Sequence, residues 1–100
     1  MSQSFAAYQE QDRRLVLLRA LENAAQYSAN AYLLRRFCDV SGHVVSLDRI
    51  QADLDWLSEA SLVTLDKRPD IWVATLTTRG LDVATGRAVQ HGVQRPQPGV

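Results

Sequence analysis

The side chains of this chain that could meet a partner chemically are cations, amides and carboxylates rather than nucleophiles. Arg35 and Arg36 stand side by side, as do Lys67 and Arg68, and Arg49 and Gln51 open a run that also contains Trp56. These are DNA-compatible groups: guanidinium and ammonium suit phosphate oxygens, and Arg and Gln can address base edges. Against them, Asp48, Ala52, Asp55 and Glu59 recur at steps of four, three and four residues, with Asp53 a further acid on the flank. One carboxylate can accept from a cytosine amino group, but a stripe of three beside phosphates is costly. The ingredients of catalysis are sparse. His43 and His91 are the two histidines and Cys38 the single cysteine, and no Ser–His–Asp set, Gly-rich phosphate loop or metal-ligand spacing occurs. The pattern reads as a non-enzymatic protein with no cofactor and no metal site.

Bulk properties narrow the field further. A chain of 100 residues is expected to form one domain. Eleven basic and eleven acidic side chains cancel, which argues against strong non-specific nucleic-acid binding yet is compatible with a local basic patch. A domain this short buries proportionally little surface, so dimerisation would be a natural supplement. The lone Cys38 excludes an internal disulfide, fits a reducing cytosol and reads as a small apolar core residue on a helix. The start, MSQSFAAYQEQ, has neither a basic n-region nor an apolar h-region, so no leader is expected. The longest apolar run, Leu15 to Leu18, falls far short of the ~18 residues of a membrane span. The expectation is a cytoplasmic protein without a membrane partner.

Several elements must position these groups. Ser4 can cap a helix running to about Ala25, with a break near Asp12. Leu17, Leu18, Leu21, Ala24 and Ala25 should face the core, whereas Phe5, Tyr8 and Leu15 project from another side, as a candidate subunit contact or folded back over the same core. After a linker over residues 26–28, Asn30 caps a second helix with Leu33, Leu34 and Phe37 as its buried stripe, ended by a left-handed Gly42. Ser46 caps a third helix, with a Val45–Ile50 hydrophobic staple and Asp48 in the first turn, whose inward side is Leu47, Ile50, Leu54 and Leu57. Residues 62–65 and 71–76 read as two strands around the turn sequence KRPD, Trp72, Ala74 and Leu76 sharing one face. Thr77 or Thr78 caps a last helix carrying Leu81 and Ala84, which ends near Gly86. Residues 1–88 thus read as the domain with an N-terminal helical extension, and residues 89–100, with two prolines and two of the glycines, as a tail.

The motifs DRIQADLDWLSEASLV and VATLTTRGLDVA, in that order, give the chain a resemblance to the winged helix-turn-helix superfamily over about Leu15 to Ala88. The resemblance implies a mainly α fold with a small β-hairpin (α+β): a three-helix core, a wing and a short C-terminal helix. It also implies base contacts from the exposed side of the third helix, where Arg49, Gln51 and Trp56 are the candidates. Phosphate contacts would come from the hairpin tip, Lys67 and Arg68, with Arg35 and Arg36 on the second helix and Arg79 near the last one in support. DRRLVLLRAL, VATLTTRGLDVATGR and the closing GVQRP further resemble small proteins of Mu-like prophages that are loosely labelled as arsenic-repressor-type regulators; one cysteine cannot supply the metal-sensing pairs such a label implies. The pattern of winged helices places Gly after the third helix where this chain has Ser61; either Ser keeps the left-handed turn, at a cost of roughly 1 kcal/mol relative to Gly, or the helix ends through a slightly different turn.

Two partner classes stay open on this reading. One is double-stranded DNA, for a phage-encoded transcriptional regulator without metal sensing. The other is a phage or host protein, for an interaction or assembly module that kept the fold while an acidic third helix lost the groove. A homodimer is compatible with either. The basic tail, with Arg87, His91 and Arg95 four residues apart, is expected to pack against a partner subunit near the acidic helix.

Overall fold

In the computed structural model, which describes residues 3–98, Ser4 opens the first helix by accepting from the Ala7 amide at 3.1 Å. The helix, α1 (Phe5–Glu22), is continuous: the expected break near Asp12 does not occur, and the helix ends before Ala25, at the cap Asn23. None of the side chains over residues 9–12 is buried, and nothing in this polar run forbids helical dihedrals. Leu17, Leu18 and Leu21 are fully buried, as expected, but so is Leu15, at 5 % exposure. Leu15 therefore belongs to the core and not to an outward face with Phe5 and Tyr8, while Ala25 is exposed.

A single 3-10 turn (Ala25–Tyr27) follows, in which Gln26 and Tyr27 hold positive φ of 57° and 58°. Two consecutive left-handed residues reverse the chain and aim it into a short strand, β1 (Ser28–Asn30), where a linker was expected. Asn30 then caps α2 (Ala31–Val40), accepting from the Leu33 amide at 2.9 Å. The buried side of α2 is Ala31, Leu34 and Cys38, so the expected stripe was rotated: Leu33 and Phe37 are exposed. Gly42 takes φ 95°, the left-handed conformation expected of it.

Ser46 caps α3 (Leu47–Glu59) through the Arg49 amide at 3.1 Å, and Ile50, Leu54 and Leu57 are fully buried with Leu47 partly so. Ser61 keeps the left-handed turn, φ 63°, that directs the chain into β2 (Val63–Lys67). A turn over residues 68–71 leads to β3 (Trp72–Leu76), paired antiparallel from Val63↔Leu76 to Lys67↔Trp72. β1 adds to the other edge of β3, giving the order β1-β3-β2. Thr77 caps α4 (Thr78–Thr85), which ends at left-handed Gly86.

Gly80 sits where α4 crosses the sheet. A Cβ there would lie 2.0 Å from the Leu62 carbonyl oxygen and 2.6 Å from Leu76 Cδ1, so only glycine allows this approach. Among the described residues the result is an α+β fold of four helices and a three-stranded antiparallel sheet, with the β2–β3 hairpin as its wing.

Candidate nucleic-acid interface

The carboxylates of α3 separate into two kinds once the helix is placed. Asp53 is buried beneath α1, where Arg13 donates to it from two nitrogens, Nε to Oδ2 and Nη2 to Oδ1, the latter at 3.2 Å. Only 7 % of the Arg13 side chain and 3 % of the Asp53 side chain see solvent. A fork-to-carboxylate pair of this kind fixes the angle of α3 on α1, and the Asp53 hydrogen bond raises the pKa of Arg13 above its usual value. Asp53 is thus a structural anion and contributes nothing to an outward acidic stripe.

Asp55 faces outward, yet it is matched: Lys67 Nζ from the wing lies 2.7 Å from Asp55 Oδ1 and stacks 4.6 Å from the Trp72 ring centroid. Arg68 at the tip bonds Asp66 at 2.8 Å. Both pairs are about half exposed, so each is weakly held and exchangeable for another anion. Asp48 and Glu59 stand exposed at the two ends of the helix with exposed Ala52 between them.

Of the expected contact residues, four stand on or beside the wing, and Arg49 stands on the opposite flank of α3, on the side of Trp56. Arg49 is exposed at the start of α3. Gln51 lines a small recess at the base of the wing with Tyr32, Pro69, Asp70 and Trp72. Tyr32 on α2 reaches the Asp70 carbonyl oxygen at 3.5 Å, which marks the wing-facing stripe of α2; exposed Arg36 follows one turn later on that stripe. Lys67 and Arg68 complete the set. Arg35, half-buried, lies between this stripe and the buried side of α2.

Trp56 is corrected outright. Its ring is covered by the Arg14 guanidinium, 3.9 Å above the centroid, and on its edge by Gly92, where an added Cβ would meet Trp56 Cζ2 at 2.6 Å. Arg14 also donates to the Gly92 carbonyl at 3.0 Å and to Glu10 at 3.0 Å, and the Gln94 amide donates to the Gln11 carbonyl at 3.1 Å. The tail therefore returns along its own α1 and α3, burying Val93, and the chain's own segment occupies the place expected for a partner's tail. No pattern in the tail signals this, because its contacts to α1 and α3 are made by the Gly92 carbonyl, the Gln94 amide and the apolar Val93.

The chain is 47 % identical over 88 residues to gp26 of Escherichia phage Mu, an uncharacterised protein, covering 88 % of this chain and 91 % of the relative. It belongs to the Mu gp26 family. A second relative in Haemophilus influenzae, also uncharacterised, is 36 % identical over 96 residues, covering 95 % of this chain and 92 % of that protein. No family model matches the chain. Among solved structures this gp26-family chain is similar to RosR of H. salinarum, with TM-score 0.62 and 20 % identity over 72 % of this chain and 64 % of RosR, just under two thirds of that protein's length. A complex structure of hsRosR-S1 gives the same TM-score and identity over 76 % of this chain and 67 % of that one. At that identity the likeness speaks for the fold alone, and it is consistent with a winged-helix-like one.

The remaining ionisable groups of this gp26-family protein are dispersed. Among the described residues no group of three or more His, Cys, Asp or Glu side chains lies together in a way that could hold a metal ion, and no helix is long and apolar enough to cross a membrane. Cys38 is fully buried, and burial, with Asp53 nearby, pushes its thiol up to about 12. His43, expected to be a turn residue, follows Gly42 and ties that turn to α1 through Asp12 Oδ2 at 2.6 Å.

Proposed function

We propose that this protein is a metal-independent, non-catalytic DNA-binding regulator of the cytoplasm that lays α3 in a groove of duplex DNA and its wing along the backbone. The observation that carries this reading is the 2.7 Å contact between Lys67 on the wing and Asp55 on α3. It joins the wing and the exposed side of α3 into one surface, with Arg36, Arg49 and Arg68 around it. A phosphate oxygen can take over Lys67 from Asp55 at little cost, because an exposed pair is worth at most about 1 kcal/mol. Burial of Asp53 under Arg13 removes one of the acids that spoke against the groove. In this reading Arg49 and Gln51 address base edges, and Arg36, Lys67 and Arg68 neutralise phosphates.

Titration of mixed-sequence duplex and of promoter-region duplexes from the encoding genome, at two salt concentrations, tests it. Three phosphate-neutralising cations per subunit predict a slope of log K against log salt of about −2.7 per subunit, from about −0.9 for each neutralised phosphate. Arg68→Glu should weaken binding to every sequence, and Arg49→Ala should flatten the preference among sequences. A second reading, an interaction module with a phage or host protein, is favoured by the exposed Asp48 and Glu59 on the same face. Absence of duplex binding at low salt would select it.

A further inference from the structure

The first two turns of α1 stand apart from the core: none of the described side chains at residues 5–12 is buried, and Phe5 is 75 % and Tyr8 50 % exposed. At the other end of the same helix, α1 and α2 enclose an open apolar groove of about 390 Å³, lined by Ala20, Ala24, Ala29, Leu33 and Phe37 with Asn23 at its rim. Helical geometry puts the two features on one stripe. Phe5, Asp12, Val16 and Asn23 recur at steps of seven, four and seven residues, with Ala20 and Arg19 to either side of the line. Phe5 and the groove are therefore about 22–27 Å apart on one face. Arg14 lies on the opposite side of the helix from Phe5, so the docked tail leaves this stripe open.

We propose that the protein pairs with a second copy through antiparallel first helices, Phe5 of each copy seated in the α1–α2 groove of the other. A two-fold axis near the middle of α1 makes one knob and one groove per chain self-complementary and closes the assembly at two subunits. Charge agrees with this pairing. Arg19 has no carboxylate partner among the described ion pairs, and antiparallel packing brings it to within about one to two turns of Asp12 of the second copy, whose half-exposed carboxylate has one oxygen on His43 of its own chain and the other left for Arg19, twice over. Area agrees as well. Phe5, Tyr8 and Phe37 expose roughly 350 Å² of aromatic surface at 150–250 Å² per aromatic side chain. Exposed Leu33 and Val40 continue the Phe37 stripe along α2, and with a polar rim the patch approaches the ~800 Å² per partner of a stable interface. The inference is independent of whether DNA is bound.

Sedimentation equilibrium on the full chain at about 100 μM tests it, together with Phe5→Glu and Ala20→Trp. The wild type should run at twice 11.2 kDa. Phe5→Glu, at a position the folded monomer leaves in solvent, should self-associate roughly a thousandfold more weakly, since two aromatic anchors are lost together. Ala20→Trp fills the groove and should likewise be monomeric. Mixed, the two variants should form heterodimers more tightly than either pairs with itself, because the intact Phe5 of one then meets the open groove of the other. A monomeric wild type, an unweakened Phe5→Glu dimer, or no gain on mixing would each overturn the proposal.

Discussion

Removing the Asp53 carboxylate should destabilise this protein more than removing any exposed acid on the same helix. The side chain is 3 % exposed and its partner Arg13 7 %, so Asp53→Ala leaves a guanidinium in the interior with neither water nor counter-ion. That group cannot discharge in compensation, since Arg does not deprotonate in proteins. Breaking a buried pair from one side costs about 3–5 kcal/mol. For a chain whose whole stability lies in the range of about 5–15 kcal/mol, this is at least about a fifth of the total. At about 4–8 °C per kcal/mol for a domain of this size, the midpoint should fall by roughly 12–40 °C. Asp48→Ala, at an exposed position in the first turn, should shift stability by about 1 kcal/mol or less. Urea unfolding followed by circular dichroism reads both, and the double variant Arg13→Met/Asp53→Leu supplies the control. Apolar side chains in place of the pair should recover most of the loss, because the penalty arises from the stranded charge. If Asp53→Ala behaved like Asp48→Ala, or the double variant were as unstable as the single one, the anchoring role of the pair would be wrong.

Other consequences can be checked in parallel. Gly80→Ala places a Cβ 2.0 Å from the Leu62 carbonyl and should cost about 3 kcal/mol, visible in the same urea midpoints. Gly92→Ala, at φ 94° and against Trp56, should detach the tail and shift Trp56 fluorescence to the red while the remaining fold stays cooperative. Asp55→Ala should raise duplex affinity by freeing Lys67 and removing an anion from the face, measured by fluorescence anisotropy. Burial raises the folded Cys38 thiol from 9.0 to about 12, so its contribution to stability is complete below pH 9 and fades as pH climbs toward 12. Cys38→Ala should flatten that alkaline decline in a pH series of thermal midpoints.

Local signals carried most of the helix starts. Ser4, Asn30, Ser46 and Thr77 each cap the helix expected of them, and Gly42 and Gly86 take the left-handed turns that end or follow one. These motifs act within four residues, so one sequence displays them in full. β1 was hidden because Ser28, Ala29 and Asn30 have little strand preference of their own; pairing with β3 makes the strand. The burial of α2 was misread because Leu33, Leu34, Phe37 and Cys38 offer two apolar stripes, and only the position of α3 decides which turns inward. Leu15 and Trp56 were misplaced for a related reason: amphipathic residues are assigned to a face by neighbours distant in the chain, here the core beneath α1 and the returning tail. The Arg13–Asp53 pair spans forty residues, and nothing local distinguishes Asp53 from Asp55. The site was therefore legible as a set of cations around α3, but which acids oppose them required the fold.

In the proposed function α3 and the wing meet duplex DNA as one face. Amide chemical-shift mapping of the isotope-labelled chain, titrated with duplex at low salt, tests it most directly. The account predicts perturbation concentrated at Arg36, at residues 48–55 and at residues 66–71, reversed by added salt, with the α1–α2 groove unmoved. Shifts confined to α4 and the tail, or none at low salt, would contradict it.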